Sequence, residues 1–145
     1  HCSQPLKDRV VEKEKTKGFL IDGENIFTQK DVREVQLAKA AVSAGIKILM
    51  KDRGIIAKDV ECVYIAGGFG NFVNVDSALN IGLLPREFSG KIKSIGNSAG
   101  SGARMCILSK DSSQDLYDII KKTTYVELSG RQDFQDYFID GMMMG

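Results

Sequence analysis

A single histidine, three scattered cysteines, almost no net charge and no long apolar run set the first limits on this 145-residue chain. His1 is terminal, and no serine or cysteine has a histidine positioned to activate it, so hydrolytic triad chemistry is excluded. Cys2, Cys62 and Cys106 are too dispersed to close a zinc or iron–sulfur shell, which needs clustered thiolates. Cys62 and Cys106 sit in apolar segments and read as small buried side chains, Cys2 in a polar terminus; all three suit a reducing compartment. Twenty basic residues against 19 acidic ones leave a formal charge of +1, which steers the chain toward neither nucleic acid nor anionic lipid. Charges interrupt every apolar stretch well before the roughly 18 residues a membrane span needs, and no signal peptide stands at the start. A cytoplasmic protein with no nucleic-acid or membrane partner is expected. Neither GxGxxG with its acidic partner nor GxxxxGK[ST] occurs, which disfavours a dinucleotide fold and a P-loop ATPase.

What is present is enough apolar residue, 43% of the chain, to cover a sheet with helices. Residues 1–16 show no sustained period and read as a linker end or flexible tail; residues 17–145 read as one α/β unit. Asp22-Gly23 between two β-rich runs predicts a hairpin over residues 19–27. Thr28 with Asp31 opens a long helix reaching Lys51, its apolar face wide enough to predict deep burial, with Gly54 as its end. Gly45 lies inside it at a cost. Residues 60–66 and 92–95 read as strands, 77–81 as a short helix capped by Asp76, and residues beyond Gly100 as a helix through Leu108. A helix carrying Leu116, Ile119 and Ile120 follows, then a strand over residues 125–128 and a last helix with Phe134, Tyr137, Phe138 and Ile139. Met142 to Met144 is either a frayed end or a contact surface. The long helix is expected to pack on the sheet containing 60–66 and 92–95.

Two strands empty directly into glycine-rich turns, and in open α/β sheets ligands collect beyond the carboxyl ends of strands. In the first turn, Gly67, Gly68, Phe69, Gly70 and Asn71, missing Cβ atoms let backbone approach a flat ring or sugar, and Asn71 offers a donor and an acceptor. In the second, Gly96, Asn97, Ala99 and Gly100 lead into a helix whose free amides favour negative groups. Both turns also have a purely structural reading: the first turns the chain, and the second lets a helix pack close to the sheet. Gln36 and Lys39, three apart on the long helix, either reach a ribose or base edge or form a solvated face. Asp22 and Asp31 either hold a hydrated Mg²⁺ or serve as turn former and helix-start residue.

Several of these segments together, 28–41, 64–71, 77–85, 96–103 and 125–129, resemble the C-terminal domain of the ATP-dependent reductive activators of corrinoid iron–sulfur proteins. The resemblance covers nearly everything from Phe19 to Phe138. It implies a three-layer, ribonuclease H-like subdomain of the actin, sugar kinase and heat-shock chaperone ATPase type, a mixed sheet covered by helices. It implies further that ATP or ADP with Mg²⁺ binds the parent protein, with Gly67, Gly68, Phe69, Gly70 and Asn71 at the adenosine end, Gly96, Asn97, Ala99 and Gly100 beside it, and Gln36 and Lys39 bordering ribose and base. The implied activity is reduction of a Co(II) corrinoid to Co(I), with a [2Fe–2S] cluster in an N-terminal domain that these 145 residues do not contain and a corrinoid protein as partner; homodimerisation stays open. This chain alone is expected to carry out neither electron transfer nor ATP hydrolysis. A static domain that recognises the corrinoid protein and an activator of a radical-dependent dehydratase are the alternatives.

Overall fold

The Asp22-Gly23 pair turns the chain as its composition predicts. Gly23 sits at φ 47°, and Asn25 Nδ2 donates to Asp22 Oδ1 at 2.6 Å. The computed structural model describes residues 6, 8–13 and 16–143; His1, Cys2 and Met144 lie outside the described residues. Strands β2 (Thr16–Asp22) and β3 (Asn25–Thr28) pair antiparallel, with Phe19 opposite Phe27. Residues 10–13, placed in the tail by the sequence reading, form β1 (Val10–Lys13), antiparallel to β2 with Val10 opposite Phe19. Four residues are too few to show a period of their own; the strand exists because β2 offers it an edge.

Helix α1 (Gln29–Arg53) begins and ends where expected. Thr28 Oγ1 accepts from the Asp31 amide, the Asp31 carboxylate accepts from the Thr28 amide at 2.8 Å, and Gly54 closes the helix at φ 65°. These bonds hold the Asp31 carboxyl below its ordinary value, the Thr28 amide contributing most. The expectation of deep burial needs correction. Only Lys39, Ala40, Ala44 and Ile48 are buried, while Leu37, Val42 and Leu49 are exposed. Covered along one stripe, the helix is lined mainly by the last helix, α6 (Gln132–Met142), rather than by a sheet. The seam is close: a Cβ at Gly141 would stand 3.0 Å from the Ala40 Cα.

The main core also draws on α1. Ala78, Leu79, Leu83, Leu84 and Phe88 are buried together, with Ile46 and Met50 of α1 and Val63, Ile65 and Ile92 packed against them. Each fully buried Leu or Phe contributes about 1.5–3 kcal/mol. Val63, Ile65 and Ile92 come from β4 (Val63–Ala66) and β5 (Ile92–Gly96), a parallel pair. The antiparallel and parallel pairings form two separate ladders, one of three strands and one of two. The architecture is a mixed α/β fold with its sheets covered by helices.

Between the strands, α2 (Gly67–Phe72) follows β4 directly and α3 (Val75–Asn80) comes next. Asn74, not Asp76, caps α3, its Oδ1 accepting from the Ser77 amide at 2.8 Å. After β5 come α4 (Ser98–Leu108) and α5 (Lys110–Lys122), the latter capped by Ser109. The strand expected at residues 125–128 is not formed. The segment is extended with Val126 and Leu128 turned inward, but it has no ladder partner among the described residues. Its polar contacts are made by side chains: Glu127 accepts from Tyr125 Oη at 2.7 Å and from the Ser129 amide at 3.0 Å.

Candidate functional site

Ala66 lies opposite Gly96 at the carboxyl ends of two neighbouring parallel strands. Each strand leaves through a glycine in the left-handed region, Gly67 at φ 72° and Gly96 at φ 60°, and runs straight into a helix. Only glycine adopts that conformation without cost, so the two strand-to-helix elbows are direct products of the sequence. Because the strands are parallel neighbours, both elbows open at the same edge of the ladder.

The first elbow differs from the expected loop. Gly67, Gly68, Phe69, Gly70 and Asn71 form most of α2, with only Gly67 left-handed. Gly70 lets this helix lie across the strand ends, since a Cβ there would meet the Ile65 carbonyl oxygen at 2.5 Å and Ser94 Oγ at 3.0 Å. Gly68 is different: nothing stands within 4 Å of where its Cβ would project. It is an open ledge of backbone, accessible to a planar group. Asn71 carries the first elbow across to the second, its Oδ1 being 4.0 Å from the position of a Cβ on Gly96.

The second elbow leads into α4. Asn97 is its cap, Oδ1 accepting from the Gly100 amide at 3.0 Å. Gly100 is glycine for that reason, because a Cβ would stand 2.7 Å from Asn97 Nδ2. Ala99 faces outward into a groove of about 590 Å³ where α5 folds back on α4. Ser98, Ala99, Ala103, Cys106, Leu116 and Ile119 help to line it. The groove is largely apolar and starts at the elbow itself. Its α5 half was not foreseen. Leu116 and Ile119 announce an apolar helix face in the sequence, but not that α4 is what it faces.

Gln36 and Lys39 are brought to each other and not shown joined to the elbows. Gln36 Nε2 donates to the Met142 carbonyl at 3.2 Å and Lys39 Nζ to the Met143 carbonyl at 2.7 Å, so both hold the end of α6. Asp22 is bonded to Asn25, and Asp31 is engaged in its capping box. Among the described residues no group of three or more His, Cys, Asp or Glu side chains could hold a metal ion. Cys62 and Cys106 are free thiols. No helix of the described residues is long and apolar enough to cross a membrane.

Comparison with known proteins agrees with this architecture. The corrinoid activation enzyme RamQ of Eubacterium limosum is 40% identical over 152 residues, covering 99% of this chain and 26% of RamQ. The [Co(II) methylated amine-specific corrinoid protein] reductase of Methanosarcina barkeri is 31% identical over 139 residues, 92% of this chain and 26% of the reductase. A solved structure, a reductive activator for corrinoid, iron–sulfur protein, superimposes with a TM-score of 0.81 at 33% identity, covering 95% of this chain and 23% of that one. The chain thus spans about a quarter of the length of the relatives it matches. Residues 3–145 match the family described as the C-terminal domain of RACo, the ASKHA domain, and the chain belongs to that family.

Proposed function

We propose that this chain is the nucleotide-holding C-terminal part of an ATP-dependent activator that returns the Co(II) corrinoid of a partner protein to Co(I). The names of the relatives support the corrinoid protein as partner. The observation that carries the nucleotide reading is the pair of elbows side by side at one strand edge, with Asn71 reaching from one toward the other. In this reading Gly67, Gly68, Phe69, Gly70 and Asn71 form one wall of an adenosine pocket and Gly96, Asn97, Ala99 and Gly100 the other. The backbone at Gly68 meets the sugar or base, and the apolar groove at Ala99 shields it from water. Gln36 and Lys39, which the resemblance sets at ribose and base, border the nucleotide in this reading while each also hydrogen-bonds the end of α6. Bound ATP supplies the free energy that makes the uphill reduction possible. These residues contribute binding and orientation of the nucleotide; a [2Fe–2S] cluster held elsewhere in the parent would supply the electron.

Calorimetric titration of ADP into the full-length parent tests the assignment. Gly68→Ala, at a position with open space, and Ala99→Leu, which fills the groove, are expected to retain the fold and to weaken ADP binding roughly tenfold or more, the scale of one lost buried contact surface. Lys110→Ala should leave affinity unchanged. Wild-type affinity in both wall variants would refute the pocket and favour the purely structural reading of these glycines.

A further inference from the structure

Lys39 is only 4% exposed, the one charged side chain buried among the described residues. An ammonium withdrawn from water needs a compensating negative charge, and loss of hydration without one costs several kcal/mol. Among the described residues none is supplied by a carboxylate. The ion pairs of the described residues are Lys51–Asp133, Arg131–Asp52 and Arg131–Asp133, all at the opposite end of the α1–α6 seam. The Met143 carbonyl takes one of the three ammonium protons. The C-terminal end of α6 adds partial negative charge, equivalent to about half an elementary charge.

The same side chain lines a hollow of about 430 Å³ together with Asn80, Gly82, Arg86, Gly141 and Met143. Among the described residues, two cations and an amide line this hollow and no acid does. Gly82 is left-handed at φ 76°, and a Cβ there would stand 3.7 Å from Lys39 Nζ, so the glycine keeps the approach to the ammonium open. Arg86 makes no ion pair among the described residues and offers a planar fork of donors suited to a tetrahedral oxyanion.

We propose that the hollow between α1, the α3 end and α6 is a binding site for a phosphate-type oxyanion, with Lys39 and Arg86 as its paired charges and Asn80 as a neutral donor. The site stands on the uncompensated charge and does not depend on the adenosine pocket. Two sources share this chemistry, a free phosphate ion and the phosphate of a nucleotide.

The test is a titration of the ¹⁵N-labelled chain with sodium phosphate at constant ionic strength, following the amide resonances of Asn80, Gly82 and Gly141. Saturable shifts are expected in the wild type, with affinity weakened roughly tenfold or more in Lys39→Met and in Arg86→Gln, as for loss of a charge-assisted contact. Arg86 is exposed, so its variant remains informative if removal of Lys39 unfolds the α1–α6 seam. ADP shifting these resonances where adenosine does not identifies a nucleotide phosphate as the source. Phosphate saturating the site while ADP leaves it untouched identifies a free anion, and either result supports the site. Absence of saturable shifts, or equal affinity in wild type and both variants, overturns it.

Discussion

Glu127 shows how one side chain can substitute for a missing strand partner. Its carboxylate accepts from Ser129 Oγ and the Ser129 amide and from the Tyr125 hydroxyl, which lowers its pKa from 4.5 to about 2, the Ser129 hydroxyl contributing most. A carboxyl whose folded pKa is depressed contributes stability that is fully present above its unfolded value and is lost as pH falls through the folded one. The window therefore runs from about pH 4.5 down to about pH 2. In urea denaturation, Glu127→Gln should be less stable than wild type at pH 7, with the difference shrinking across that window and vanishing below it. A gap that is independent of pH would show that the carboxylate charge has no part in ordering the 125–129 segment. Residues 125–128, expected as a strand, do alternate as one would: Val126 and Leu128 face inward. What periodicity does not encode is whether a second strand is within reach.

At the scale of elements, the α1–α6 seam and the elbows obey the same rule, that glycine stands where backbone must come close. Gly141 faces Ala40 at the near limit of contact, with 3.0 Å left for a Cβ. Gly141→Leu is expected to cost about 1–3 kcal/mol by overpacking and to part the carbonyls of Met142 and Met143 from Gln36 and Lys39. Chemical denaturation checks the first effect, and loss of the α6 amide protection in hydrogen exchange checks the second. A neutral result would mean that α6 docks through its ion pairs alone. Those pairs are clear at the other end of the seam, where Arg131 and Lys51 hold the Asp133 carboxyl well below the usual carboxylate range. Caps were legible beforehand: Thr28, Asp31 and Gly54 were all identifiable because a cap is a local bargain among residues a few positions apart. The cap of α3 was not: Asp76 was expected, and Asn74, two residues earlier, takes the role.

Over the whole molecule, large apolar side chains stay uncovered, Phe72 at 89%, Ile107 at 84% and Tyr125 at 82% exposure. The elbows offer glycine backbone, Asn71 and small side chains, and among the described residues no group of three or more His, Cys, Asp or Glu could hold a metal ion against a phosphoryl group. The pure 145-residue chain is accordingly expected to release no phosphate from ATP above the uncatalysed background in a colorimetric assay. Turnover at an enzymatic rate, abolished by Gly68→Ala, would show that the chain carries its own phosphate chemistry.

Sequence by itself determined the hairpin at Asp22-Gly23, the ends of α1, the two strands followed by left-handed glycines, and the α/β class. Each depends on torsional preferences or hydrogen bonds that span only a few residues. Tertiary structure alone decided that β4 and β5 are parallel neighbours, so that Ala66 and Gly96 end side by side. It also decided that α5 folds onto α4 to make the groove, that α1 buries a narrow stripe against α6, and that Lys39 faces a hollow rather than solvent. These outcomes turn on which surfaces meet across many tens of residues. That choice is set by the burial and charge balance of the assembled molecule, to which no local stretch of chain has access.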